Sequence, residues 1–244
     1  MKFAQFLIES KKEGANLHLE HLEDEVLNRG VAGTRDAINF LRSLRDMLAG
    51  HSESKINTTT KWDGSPAVFC GINPDNGKFF VGTKGVFNAN AKLNYTDADI
   101  DTNHSGEGLN AKLKVALRYL PKLGIKGVLQ GDMMFSKGDV KTQTIDGVEY
   151  ITFQPNTLVY AVPSESKLAK TMLAAQMGIV FHTSYTGKTF SDMKASFNID
   201  IKNLTTTKDV WFRDAYFTDA SGTATFTKEE TVEITGILAD AGRL

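Results

Sequence analysis

Apolar positions recur at helical spacing through the first fifty residues and at alternating spacing from about residue 67 onward, so the pattern predicts a helical segment followed by a strand-rich body. Three amphipathic helices are expected first, over residues 3–14 (FAQFLIESKKEG), 17–30 (LHLEHLEDEVLNRG) and 34–50 (TRDAINFLRSLRDMLAG). In the third, Thr34 is placed to cap the N-terminus, Ile38, Leu41, Leu44 and Leu48 form one apolar stripe, and Gly50 supplies the stop. HSESKINTT (residues 51–59) reads as a polar linker. Beyond it, AVFCG and KFFVG flank NPDNG, whose residue types a tight reversal demands, so residues 67–82 are expected to form a hairpin.

A loop rich in Asn and Asp (88–106) should lead into a helix over GLNAKLKVALRYL (108–120), with Leu109, Leu113, Ala116, Leu117 and Leu120 on one face and Pro121 closing it. Strands follow over GVLQGDMMF (127–135), VEYITF (148–153, after an Asp146–Gly147 turn) and TLVYAV (157–162). Ser164 is placed to cap a helix over 165–177, which Gly178 ends before the strand IVFHT. Thr227 and Glu230 make a capping box for a last helix, weakened by Gly236 inside it. The order of elements indicates an α+β fold with mainly antiparallel sheets, divided into a helical extension (1–57) and a body (58–244).

Composition narrows the function. With 244 residues the chain can bury a substantial core without staples. Its 28 Lys and Arg against 29 Asp and Glu give a net charge of −1, so overall charge does not drive nucleic-acid binding, although a local basic groove stays open. The single Cys70 excludes an intramolecular disulfide and a cysteine-based zinc cluster, which fits a reducing compartment. Apolar runs fall short of a membrane span, and Gln5 and Glu9 interrupt the N-terminal one, unlike a secretory signal; a soluble, cytoplasmic protein is expected.

The chemistry concentrates in Lys61-Trp62-Asp63-Gly64. A phosphoryl-transfer site built on lysine needs an amine that can lose its proton, a nearby carboxylate, and a glycine that lets backbone approach phosphates. By itself the tetrapeptide also reads as an exposed lysine before a turn. Its surroundings resemble the covalent nucleotidyltransferases, the superfamily of ATP-dependent DNA ligases, RNA ligases and mRNA capping enzymes, whose KxDG motif likewise precedes a strand. GTKG (82–85) is similar to that family's short element after the second strand, LQGDMMF to its acidic third motif, and TLVYAV to the strand that brings an aromatic ring onto the purine.

The resemblance implies a ligase-type adenylation fold in which Lys61 attacks the α-phosphorus of ATP or GTP, with Mg²⁺ or Mn²⁺, to serve the joining or modification of an RNA or DNA end. It implies that Gly64 belongs to the nucleotide loop, Lys84 meets phosphate, Asp132 orients the ribose or a metal-bound water, and Tyr160 faces the base. Asp63 is expected as a metal or hydrogen-bond partner that fixes the lysine loop.

The chain departs from the family's pattern at three places. Pro66 stands where arginine is common, Val162-Pro163 replaces an aromatic-aspartate ending, and the later EGxVxK-type motifs are not found. Met177 precedes Gly178 where that glutamate would stand, and KDVWFRDA offers Lys208 and Arg213 in no recognisable frame. Either the domain continues past Leu244 or its catalysis is impaired.

Other groups carry less. His18 and His21 read as a solvated helix face, Cys70 as core, His182 as structural or lining a nucleotide cleft, and Trp62 as packing behind the loop or covering a base. MKFAQFLIES is similar to the capsid-targeting leaders of T-even-type phage internal proteins. That likeness implies phage head proteins as partners and packaging in the virion, and with it a rival reading: a non-catalytic structural protein that retains the fold.

Overall fold

A computed structural model of the chain describes residues 22–51, 60–197, 199–215 and 225–243. The expected segment over 3–14, the leader-like residues 1–10, and His18 and His21 lie outside them. The described residues divide into two units, one formed by 60–215 and the other by 22–51 with 225–243. The last helix therefore belongs with the N-terminal helical segment, whereas the boundary expected after residue 57 groups it with the strands.

The helical unit contains α1 (Leu22–Leu48), broken at Gly30, whose φ of 54° and ψ of −132° suit only glycine. Two helices separated by a gap were expected here, with Thr34 opening the second. Instead the helix resumes directly after Gly30, and the Thr34 hydroxyl donates to the Gly30 carbonyl (3.0 Å) from within the helix. Arg29 pairs with Glu25 (3.1 Å) and with Asp36 (3.0 Å), on either side of the break. In the same unit the Thr227–Glu230 capping box starts the closing helix Lys228–Ala241, as its sequence predicts. The Phe226 N–H donates to the Leu48 carbonyl (2.8 Å) and Arg45 donates to the Thr235 hydroxyl (3.1 Å).

The other unit is built on two mainly antiparallel sheets. Strands β1 (Ala67–Ile72) and β2 (Phe79–Gly82) form the expected hairpin, closed by Asn73, whose carbonyl accepts from Gly77 N–H (2.8 Å) and whose side chain accepts from Asp75 N–H (2.9 Å). The segment expected as a loop over 88–106 contains helix α2 (Asp97–Asn103), nucleated by a Thr96–Asp99 capping box and anchored by the buried Ile100. Helix α3 (Glu107–Tyr119) follows and Pro121 ends it, as predicted, by passing into a short 3₁₀ turn.

Next come β3 (Val128–Ser136), β4 (Lys141–Ile145), β5 (Val148–Phe153) and β6 (Tyr160–Pro163). Positive φ at both Asp146 (50°) and Gly147 (80°) gives the β4–β5 turn the twist a two-residue hairpin needs. Only the end of the strand expected over 157–162 is strand, because Thr157 and Leu158 give their N–H groups to a side chain instead of a ladder. Helix α4 (Lys167–Ala174) is capped by Ser166, which accepts from Ala169 N–H (3.0 Å), and not by Ser164, whose hydroxyl has no partner among the described residues.

Strand β7 (Met177–Thr186) begins before Gly178, so that glycine lies inside a strand and does not stop a helix; a Cβ there would overlap the Phe135 ring. Short β8 (Lys194–Ser196) and β9 (Val210–Asp214) complete the unit. The large sheet runs β2-β1-β3-β7-β8, with β9 joined to β7 in parallel, and the small one runs β4-β5-β6.

The core explains this arrangement. Leu113 and Ala116 of α3, and Leu120 just past its end, pack with Val68, Cys70, Met133, Ile179 and Phe181, along the stripe read from the sequence. A second cluster, with Phe135, Val180 and Trp211 of the large sheet, joins Ile151 and Phe153 of the small sheet to Met172 of α4. Phe69, Phe80 and Tyr185 form a third. Cys70 is fully buried, and burial pushes its thiol far up, so it packs and does not react.

Candidate functional site: a lysine loop docked on an acidic strand

Lys61, Trp62, Asp63 and Gly64 occupy an irregular segment that leads into β1 and is held at both ends by backbone bonds. The Thr60 N–H donates to the carbonyl of Ala215, just past β9 (2.7 Å). At the other end the Ser65 N–H donates to the Met133 carbonyl (2.9 Å), and the Met133 N–H donates to the Pro66 carbonyl (3.0 Å). Lys112 of α3 adds a bond from Nζ to the Ser65 carbonyl (3.1 Å). The loop thus runs from the edge of β9 to the middle of β3. Gly64 makes that path physically accessible: a Cβ on it would stand 2.5 Å from the Asp132 Cβ and 3.1 Å from the Met133 carbonyl oxygen. Two motifs far apart in the chain are in direct contact.

Asp63 is the anchor of the loop. Its carboxylate accepts from Thr157 N–H (2.6 Å), Leu158 N–H (2.7 Å) and the Asn156 side chain (2.8 Å), while its own N–H donates to the Tyr160 hydroxyl (2.8 Å). Of the two roles expected for it, the hydrogen-bond partner is the one these contacts fill. They favour the ionised form: the Leu158 N–H contributes most, then Asn156, then Thr157 and the Lys61 charge, and together they hold the carboxyl below its ordinary 3.8 against an opposing desolvation.

Because the folded value lies below the unfolded one, this anchoring contribution is complete above the unfolded value and is lost as pH falls through the folded one. The expected result is that the urea midpoint of the wild-type protein falls more between about pH 5 and pH 3 than that of Asp63→Ala, followed by tryptophan fluorescence. Asp99 and Asp101 are also held low but are common to both proteins, so the difference isolates Asp63. Parallel curves would show that the bonds to Asn156, Thr157 and Leu158 do not stabilise the fold.

Asp132 is half-buried on β3, with Oδ1 3.7 Å from Nε2 of His182. A β-bulge produces this approach: pairing of β3 with β7 steps from Gln130↔Thr183 to Gly131↔Phe181 and leaves His182 out of the ladder. Across the sheet, Ala67 pairs with Asp132, Asp132 with Val180, and Val180 with Arg213. Paired residues project to the same face, so Arg213 shares the face of Asp132. Its guanidinium lies 5.5 Å over the Trp211 ring and donates to the Phe212 carbonyl (2.9 Å), which leaves an exposed cation in the row of the acid.

The remaining expected residues fall less centrally. Lys84 is exposed at the start of a 3₁₀ turn after β2, and no hydrogen bond or ion pair joins it to Lys61 or Asp132 among the described residues. Tyr160 is engaged by protein: its ring stacks against Trp62 (5.6 Å between centroids) and against Phe153 (5.4 Å). Trp62, Lys61, Asp63, Thr157 and Leu158 line a shallow hollow of about 220 Å³. Among the described residues no three His, Cys, Asp or Glu side chains gather as a cation cage. A Mg²⁺ that arrives on a phosphate needs only one or two protein carboxylates, and Asp132 could supply one.

Sequence reasoning did not place Arg213, since its position in the row depends on the parallel β7–β9 pairing. No signal in KDVWFRDA reveals that pairing.

Fold and site together define a two-unit α+β protein that carries a glycine-docked lysine loop against a strand carboxylate. The chain belongs to DUF6267, a family of unknown function, whose model matches residues 16–243. No curated protein and no solved structure matches it. Among the described residues no helix is long and apolar enough to cross a membrane.

Proposed function

We propose that the protein is a ligase-like nucleotidyltransferase with the adenylation-type fold, and that Lys61 accepts the nucleotide. The supporting observation is the contact of Gly64 with Asp132, which puts the lysine loop against the carboxylate expected to serve the nucleotide. In the reaction the neutral Lys61 amine, its proton given to solvent, attacks the α-phosphorus of ATP or GTP. An N–P bond forms, the bond to the bridging oxygen breaks, and pyrophosphate leaves.

Asp132 would hold a ribose hydroxyl or the nucleotide's Mg²⁺ or Mn²⁺, which when bound would supply neutralisation of phosphate charge. Arg213 offers its fixed guanidinium to the phosphates from the same face. The nucleotide would then pass to an RNA or DNA end.

The test is intact mass after incubation with ATP or GTP and Mg²⁺ or Mn²⁺, followed by peptide mapping. The reading requires a nucleotide-sized adduct on the peptide containing Lys61, and its absence with every combination overturns it. Arg213→Ala should slow adduct formation by roughly a hundredfold, as loss of one preorganised charge partner does, with little change in stability because the side chain is exposed. An unchanged rate would remove Arg213 from the scheme.

One observation favours a second reading. Met177, at the position where the resembled family has a metal-associated glutamate, is fully buried in the core, so no carboxylate can act from there. On that reading the protein keeps the fold without the chemistry and serves as a structural or head-packaged phage protein.

A further inference from the structure

The hollow beside Lys61 has the features of a site for a flat aromatic ligand. Phe153, Tyr160 and Trp62 are connected by near-parallel stacks, with interplanar angles of 11° and 23°. Of the three rings only Trp62 lines the hollow. Leu158, also in the lining, is 55 % exposed, and its neighbour Val159 is 58 % exposed, so the hollow has an apolar border open to water. The wall they stand on is fixed, since the Asp63 carboxylate holds the N–H groups of Thr157 and Leu158. Tyr160, the ring expected to meet a base, is occupied by its bond to Asp63 N–H and by both neighbouring rings.

We infer that Trp62, backed by Tyr160 and bordered by Leu158, is the platform on which the base of the nucleotide stacks. The choice of a nucleobase as ligand rests on the nucleotidyltransferase reading above. Size and charge agree with it. Sites that enclose a whole drug-sized ligand run from roughly 300 Å³ upward, so about 220 Å³ suits the base alone and leaves sugar and phosphates outside. The cation in the lining is Lys61, so the phosphates extend toward the amine proposed to attack them. Stacking is indifferent to which base is present, because every base has a π-face; the site should take ATP and GTP with similar affinity.

The experiment compares wild-type protein, Trp62→Phe and Trp62→Ala by equilibrium dialysis with ATP and GTP, and with inorganic tripolyphosphate as a ligand that has the charge but no base. Trp62→Ala should weaken both nucleotides by roughly five- to a hundredfold and leave tripolyphosphate unchanged, while Trp62→Phe, which keeps a ring, stays near wild type. The inference is overturned if Trp62→Ala binds nucleotide like wild type. It is equally overturned if that variant loses nucleotide and tripolyphosphate alike, or if the wild type prefers nucleotide over tripolyphosphate in no measurable degree. The covalent reading fails separately: ring-dependent binding with no adduct would sink the chemistry and keep the platform, and an adduct with ring-independent binding would do the reverse.

Discussion

Lys61→Ala is expected to abolish nucleotide attachment completely while leaving the unfolding free energy within about 0.5 kcal/mol of wild type. The two halves of this expectation have different origins. Lys61 is exposed and makes no hydrogen bond among the described contacts, so truncating it removes no packing; only its attraction to the already anchored Asp63 is lost. Asn156, Thr157, Leu158 and Tyr160 continue to hold the loop. On the proposed chemistry, in contrast, attachment needs this amine as the bond-forming atom.

Lys61→Arg sharpens the test. It retains the positive charge for phosphate binding but carries a guanidinium that stays protonated and does not attack phosphorus. Lys61→Arg should bind nucleotide and form no adduct. An adduct of nucleotide mass on either variant would show that another residue is the acceptor.

The second large effect concerns the sheet on which the site rests. Gly71→Ala should destabilise the unit containing the strands by about 2–6 kcal/mol, from backbone strain of about 1–3 and overlap of about 1–3 kcal/mol. Gly71 has a φ of 146°, a conformation that side chains rarely adopt. An added Cβ would also overlap the Gly127 carbonyl oxygen and stand 2.8 Å from the Val128 Cα. Both obstacles are backbone, and Ile72 N–H already bonds the same Gly127 carbonyl (3.0 Å), so neither can turn away like a side chain.

Gly77→Ala is the control: it has a φ of 70° but nothing within 4 Å, so it should cost only the strain, about 1–2 kcal/mol. The chain's two tryptophans, Trp62 and Trp211, both lie in the strand-bearing unit, so fluorescence in urea reads the relevant transition. Equal midpoints for the two variants would mean that the sheet relaxes around residue 71.

Several elements were legible in the sequence because their causes are local. NPDNG carries its own turn chemistry, the α3 stripe is a matter of spacing, Pro121 lacks the N–H a helix needs, and Thr227 and Glu230 cap each other across one turn. Helix α2 was equally legible in principle, since Thr96 and Asp99 form the same kind of box; the run of Asn and Asp obscured it. Ser164 and Ser166 both suit a cap, and the choice fell to Ser166 because Ser164 N–H bonds Glu149 (3.0 Å) across the sheet and carries the chain past that point. Thr34 failed as a cap because Gly30 alone absorbs the break.

What the sequence determined by itself was the chemistry on offer: a lysine, a carboxylate and a glycine in one loop, and an acidic strand later in the chain. The tertiary structure decided which of these groups lie together. It turned Asp63 into an anchor, brought Gly64 against Asp132, placed Arg213 in the row of that acid, released His182 through a bulge, and enclosed Tyr160 between rings while leaving Trp62 at the hollow. The physical reason is register. A strand's own residues set its alternation, but its partner, and the residue that lies opposite each position, are fixed by how whole sheets bury their apolar faces.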